Sequence, residues 1–127
     1  MERWFLLDDN PASGARNMAL DEFLLDKAER ERMPPLLRLY AFDPPAVTIG
    51  HHQGSAHGLD LELLRRDGVE VVRRFTGGRA LLHAGELTYC VVAGTDRPPF
   101  DTHLQASYLR ISEALSLIHI SEPTRPY

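Results

Sequence analysis

Two adjacent glycines between strongly apolar segments constrain this chain more than any other feature. Residues 69–83 read Val-Glu-Val-Val-Arg-Arg-Phe-Thr-Gly-Gly-Arg-Ala-Leu-Leu-His. The spacing predicts strands over 69–75 and 79–83, joined by a tight Thr76-Gly77-Gly78 corner. Glycines let a ligand come close to the main chain and leave N–H groups free to donate. Side chains alternate along a strand. Arg73 therefore shares a face with Val69, Val71 and Phe75, and Arg74 falls on the other face with Val72 and Glu70. Arg79 and His83 share a face, with Leu81 between them. An arginine ending an apolar row is costly to desolvate unless it meets an anion. The pattern describes an apolar slot with cationic and N–H donors at one end, suited to an oily tail with a carbonyl, carboxylate or phosphate head. A plain glycine-rich hairpin with solvated arginines fits the same residues.

The remaining segments suggest what surrounds this corner. Residues 3–7 form a short apolar run. Ser13 is placed to cap a helix running to about Arg32, with an apolar stripe of Ala15, Met18, Ala19, Phe23 and Ala28 widened by Leu20 and Leu24. Pro34-Pro35 stops that helix. Strands are expected over 36–42, 46–49 and 87–92, a short helix over 59–66, and a second long helix over 102–115. Residues 50–58 form a polar loop rich in His and Gly. The order implies an α+β domain with one mixed β-sheet and helices packed on one face. A chain of 127 residues suffices for one core, and its net charge of −4 argues against nucleic acid as a partner. One cysteine excludes an intrachain disulfide. No apolar run spans a bilayer and the start lacks a secretory pattern, so no membrane association and a cytoplasmic location are expected.

Several ordered stretches resemble one family. Arg-Arg-x-Thr-Gly-Gly-x-Ala followed by His83 is similar to the signature of the biotin/lipoate protein ligase catalytic domain, on its lipoate and octanoate side. Asn17-Met18-Ala19-Leu20-Asp21-Glu22 resembles that family's first helix. Leu37-Arg38-Leu39-Tyr40, with Val47-Thr48-Ile49-Gly50 and Gln53, resembles its next strands and loop. Glu86-Leu87-Thr88-Tyr89 resembles the strand after the signature. Lipoate ligases typically carry a third glycine where Arg79 stands, so this chain is more similar to the octanoyltransferase branch. The resemblance implies a fold shared with class II aminoacyl-tRNA synthetases, truncated at its C-terminus. It also implies transfer of an octanoyl group from octanoyl-acyl carrier protein to a lysine of a lipoyl domain or glycine-cleavage H protein, with no cofactor. The alternative is an ATP- and Mg2+-dependent lipoate ligase working through lipoyl-adenylate. A non-catalytic module that binds acyl groups or partner proteins is the reading from another class. Lipoate or octanoate is the group carried.

The acyl-binding residues implied are Arg73, Thr76, Gly77, Gly78, Arg79, His83, Arg38, Tyr40 and Gln53. Arg73 is expected to supply positive charge, and the Gly77 and Gly78 N–H groups to face the carbonyl or phosphate oxygen. The family's catalytic Lys and Cys are expected downstream of every residue here, so no catalytic residue is assigned and the chain alone is expected to be inactive. Cys90 is read as a structural thiol in mid-strand. His51, His52 and His57 are read as loop residues, with no metal. Asp21 and Glu22 are read as a solvated helix face. Arg16 stands where relatives often carry Glu, which removes a capping box with Ser13. Residues 115–127 resemble the translation of a sequencing-library adapter. The catalytic-domain segment is therefore assigned to 1–114 and the tail is read as non-native.

Overall fold

The computed structural model describes residues 3–54 and 58–121, with side chains to residue 117. His57 and residues 122–127 of the expected tail lie outside the described residues. The chain forms two units, residues 1–92 and 93–127.

The first unit holds two consecutive strand–helix–strand segments. Strand β1 (Phe5–Asp8), helix α1 (Gly14–Arg30) and β2 (Leu36–Tyr40) form one; β3 (Ala46–Ile49), α2 (Leu61–Arg66) and β4 (Glu70–Arg73) form the other. Within each, the two strands pair in parallel, which needs a long crossover and explains the intervening helices. Strand β5 (Leu81–His83) then adds antiparallel to β3 of the second segment, and β6 (Thr88–Val92) to β2 of the first. The result is two three-stranded mixed sheets, ordered β1-β2-β6 and β4-β3-β5. The α+β class is as expected, but the single sheet is not. The hairpin expected across Gly77-Gly78 is absent as well, because β4 and β5 flank β3 on opposite sides and do not pair with each other. The glycine corner is a crossover past the end of β3.

Helix α1 packs against β3, β4 and β6, and so touches both sheets. Its N-terminus is capped twice. Ser13 Oγ accepts from the Arg16 N–H at 3.2 Å. Glu70, on β4, accepts from the Gly14 N–H at 2.7 Å and the Ala15 N–H at 3.2 Å. The carboxylate that Arg16 displaces from the local capping box thus arrives from a distant strand, where it also suits the positive end of the helix dipole. The buried residues of α1 are Gly14, Asn17, Asp21 and Leu24; of the expected stripe, Leu24 is buried and Met18, Leu20 and Ala28 pack on the core, whereas Ala15, Ala19 and Phe23 are exposed. Phe23 is 57% exposed. Two of the four inward positions are polar, which an apolar-periodicity reading cannot register.

The core has two clusters. Leu24, Leu36 and Val92 pack with Leu7, Leu20, Ala28 and Met33; Tyr40, Phe42 and Ala46 pack with Met18. Cys90 touches both clusters. Every residue of β3 is buried, as befits a central strand.

The second unit carries α3 (Leu104–Ser121), which extends past the expected end at 115. Ile111 is half-buried, whereas Leu104, Tyr108 and Leu115 of the expected stripe are exposed.

Candidate functional site

Register fixes which side chains share a face. Thr48 lies opposite Val72 on β4 and Leu81 on β5, and Ala46 lies opposite Glu70 and His83. Cross-strand partners project to the same side. One face of the sheet therefore carries Glu70 and Val72 on β4, Ala46 and Thr48 on β3, and Leu81 and His83 on β5. Arg74, two residues beyond Val72, continues that row. Arg73, paired with Ile49, belongs to the opposite face.

The two adjacent arginines consequently do different things. Arg73 is exposed, and its Nη1 donates to the carbonyls of Gly50 at 2.9 Å, His51 at 3.3 Å and Gln53 at 2.6 Å. It pins the loop after β3. The expectation that its charge enters the slot is not met, because Arg73 lies on the other face and is not among the cavity's lining residues. Arg74 is half-buried. It donates from Nη1 to Thr48 Oγ1 at 2.7 Å and from Nη2 to the carbonyls of Gly77 at 2.8 Å and Arg79 at 3.0 Å. All three acceptors are neutral, and burial pulls its pKa below the ordinary arginine value. A half-buried cation solvated only by dipoles is the group a bound anion or carbonyl oxygen would relieve.

Arg74 lines a cavity of about 350 Å3. Phe75 and Thr76 join it from the glycine corner, and Leu81 and His83 from β5. Tyr40, Phe42 and the β6 residues Thr88 to Val92 form further wall, with Met18, Asp21 and Leu25 contributed by α1. The walls are mainly apolar and both sheets supply them. A volume of this order is that of a small-molecule pocket. A larger cleft of about 500 Å3 at Asp60, Glu62, Leu63, Arg65 and Arg66 belongs to one six-residue helix and its cap, and lacks convergent walls.

The expected site residues divide accordingly. Thr76, His83 and Tyr40 line the cavity, whereas Arg38, Gln53, Gly77, Gly78 and Arg79 are not among its lining residues. Gly77, Gly78 and Arg79 are exposed, and their contribution comes through backbone carbonyls: those of Gly77 and Arg79 hold Arg74. Gly78 has φ of 95°, a conformation that favours glycine. A Cβ on Gly50 would run into the Gly78 backbone, so that pair lets the crossover lie directly on the end of β3. Gln53 Oε1 accepts from the Gly50 N–H at 3.2 Å, and Thr76 accepts through its carbonyl from the His51 N–H at 2.8 Å.

Beneath the cavity lies a polar cluster. Arg38 is 1% exposed. Its Nε donates to Asp9 Oδ2 at 2.8 Å, Nη1 to Asp21 Oδ1 at 2.7 Å and the Asn17 carbonyl at 3.1 Å, and Nη2 to Asn17 Oδ1 at 2.9 Å. Burial opposes the charge, but hydrogen bonds and the fields of Asp9 and Asp21 outweigh it and hold the pKa above the ordinary value. The guanidinium also stacks 3.8 Å over the Tyr40 ring. Tyr40 Oη donates to Asp21 Oδ2 at 2.8 Å. Burial first, and Asp21 second, push its pKa up. The Asn17 amide donates to the carbonyls of Ala12 at 3.1 Å and Ala41 at 2.9 Å. Asp21, expected on a solvated face, is 7% exposed; Arg38 and Tyr40 together satisfy it.

Cys90 lines the cavity, but burial and the negative charge of Asp21 push its thiol up to about 12. It stays protonated at neutral pH and is a poor nucleophile. His83 is 7% exposed, stacked on Phe42 with ring centroids 4.1 Å apart. Its Nδ1 contacts Glu86 Oε1 and its Nε2 lies 2.9 Å from Thr48 Oγ1. Among the described residues no group of His, Cys, Asp and Glu is placed to hold a metal ion. Arg74, a lining residue, is not among the residues expected from the sequence. Its alternation with Glu70 and Val72 is legible there, but which face turns inward depends on β3 lying between β4 and β5.

Comparison with known proteins places the chain in a family. The profile of the lipoyl protein ligase A/B catalytic domain matches residues 13–119. An octanoyltransferase LipM from Moorella thermoacetica is 43% identical over 115 residues, which cover 91% of this chain and 42% of that protein. The chain thus spans less than half the length of that relative. Among solved structures, the bipartite lipoate protein ligase of Thermoplasma acidophilum, studied with its E2 lipoyl domain, superposes with a TM-score of 0.80 at 28% identity, covering 100% of this chain and 49% of that one. A lipoate-protein ligase A bound with ATP superposes with a TM-score of 0.70 at 26% identity, covering 100% of this chain and 54% of that one. With a match over 13–119 and this architecture, the chain belongs to the lipoyl protein ligase A/B catalytic domain family.

Proposed function

We propose that the protein transfers an octanoyl group from octanoyl-acyl carrier protein to a lysine of a lipoyl domain or glycine-cleavage H protein. The observation that carries this reading is the cavity with mainly apolar walls and Arg74 among its lining residues. The relative named as an octanoyltransferase supports the choice of acyl group. Sequestering the chain gives roughly 5 kcal/mol at about 0.8 kcal/mol per methylene. Arg74 is the donor to the carbonyl oxygen and polarises it as charge develops there. Thr76, Tyr40 and His83 form the wall around it.

The chemical step follows from the resemblance. A cysteine thiolate outside these 127 residues attacks the thioester carbonyl and releases the carrier's thiol. The acceptor lysine then attacks the acyl-cysteine, forming the amide and freeing the cysteine, so one transfer becomes two easier ones. The ligase neighbour bound with ATP favours one second reading, in which ATP and Mg2+ activate lipoate as its adenylate. A cytoplasmic setting fits either reaction.

Two measurements test the proposal. Titration calorimetry should show octanoate binding to the chain, and Arg74→Met should weaken it by about tenfold or more, the loss expected for a charge-assisted hydrogen bond. The full-length protein should move octanoate from acyl carrier protein to a lipoyl domain without ATP, seen as a mass increase of the acceptor. Strict ATP dependence would establish the ligase reading instead, and absence of octanoate binding would remove both.

A further inference from the structure

We infer that Glu86, His83 and Thr48 form a one-directional hydrogen-bond relay that positions Arg74, so that Thr48 and His83 act on the acyl head through Arg74. The inference rests on the acyl-binding reading and assigns roles within the same cavity.

Donor and acceptor inventories leave a single consistent order. A guanidinium has five N–H donors and no acceptor. In the 2.7 Å contact between Arg74 Nη1 and Thr48 Oγ1, the hydroxyl oxygen must therefore accept. Thr48 is 0% exposed, so its own proton has no water to meet and must be donated inside the protein. The ring nitrogen His83 Nε2, at 2.9 Å, is its partner. Nε2 then accepts, which leaves the ring proton on Nδ1, facing Glu86 Oε1. Each link fixes the next, from the Arg74 cation to the Glu86 carboxylate.

The setting makes the relay rigid. Thr48 sits on β3, buried along its whole length and paired on both sides. His83 is clamped against Phe42. Arg74, by contrast, stands just past the end of β4, where the chain turns into the glycine crossover. Its other two acceptors are carbonyls of that crossover. Of the three described acceptors of the guanidinium, Thr48 is the one that belongs to a strand. It sets where the guanidinium stands relative to the cavity.

The test separates this role from packing. Thr48→Val keeps the branched shape and removes the hydroxyl; Thr48→Ser keeps the hydroxyl. In octanoate titrations, Thr48→Val should bind about tenfold more weakly while Thr48→Ser stays close to wild type. Glu86→Gln should give a smaller loss in the same direction. Circular dichroism should be unchanged in all three. Long-range nitrogen–proton NMR of His83 should show the Nδ1–H form in wild type, and loss of that single form in Thr48→Val. Equal octanoate affinity for Thr48→Val and wild type would overturn the relay, as would an Nε2–H ring in wild type. If wild type binds no octanoate, the acyl reading and the positioning role fail together, while the nitrogen shifts still decide the proton order.

Discussion

Replacing Arg38 by Met should unfold this domain more readily than any surface change. The guanidinium is 1% exposed and makes four hydrogen bonds, two of them to the carboxylates of Asp9 and Asp21. Removing one partner of a buried ion pair costs about 3–5 kcal/mol, because the other is left charged and desolvated. Asp9, with a side chain 24% exposed, can turn toward water; Asp21, at 10%, cannot. The penalty should therefore centre on Asp21, with a smaller part from the orphaned Asn17 Oδ1. Against a typical stability of about 5–15 kcal/mol, that is roughly a fifth or more of the total. At roughly 4–8 °C per kcal/mol for a domain of this size, Tm should fall by at least about 12 °C. Thermal and urea unfolding followed by circular dichroism would measure it. The origin of the loss is checked by adding Asp21→Leu and Tyr40→Phe to Arg38→Met, which removes the stranded charge and its remaining donor. If desolvated charge is the cause, the triple variant should be more stable than Arg38→Met alone. A single Arg38→Met within about 1 kcal/mol of wild type would refute the reasoning, since the cluster would then contribute no more than an exposed pair.

Two further predictions follow from the same structure. Glu70→Ala should cost about 0.5–2 kcal/mol in urea unfolding, the range for losing a helix cap, because the Gly14 and Ala15 N–H groups lose their acceptor. Cys90 should make the fold less stable as pH rises above the ordinary thiol value of 9.0. The folded thiol, pushed up to about 12, keeps its proton while the unfolded one loses it, so the native state binds more protons and stability falls with pH across that window. Cys90→Ala should flatten the alkaline decline measured in wild type; identical slopes would show that the thiol titrates alike in both states.

Much of the secondary structure was legible because the chain marks its own boundaries. Ser13 opens α1 and the Pro34-Pro35 pair prevents its continuation; β3 occupies the residues its apolar run predicts. The pairing of those elements was not legible. A glycine corner between two apolar runs reads as a hairpin, and nothing local says that an earlier strand will lie between them. Nor could periodicity reveal that α1 turns Asn17 and Asp21 inward, since their burial depends on Arg38 and Tyr40 arriving from β2. In each case the deciding partner lies many residues away.

The arginine pair shows how one topological fact changes a chemical assignment. Alternation along β4 puts Arg73 and Arg74 on opposite faces whatever the fold. Which of them meets a ligand depends on which face α1 covers. Glu70 answers that, because its carboxylate caps α1 and so marks its face as inward. Val72 and Arg74 follow at intervals of two, and Arg73 is turned out toward the loop it holds. The helix cap and the cavity-lining cation are therefore one structural decision, made by the register of a four-residue strand. A one-residue slip of β4 would uncap α1 and exchange the arginines together.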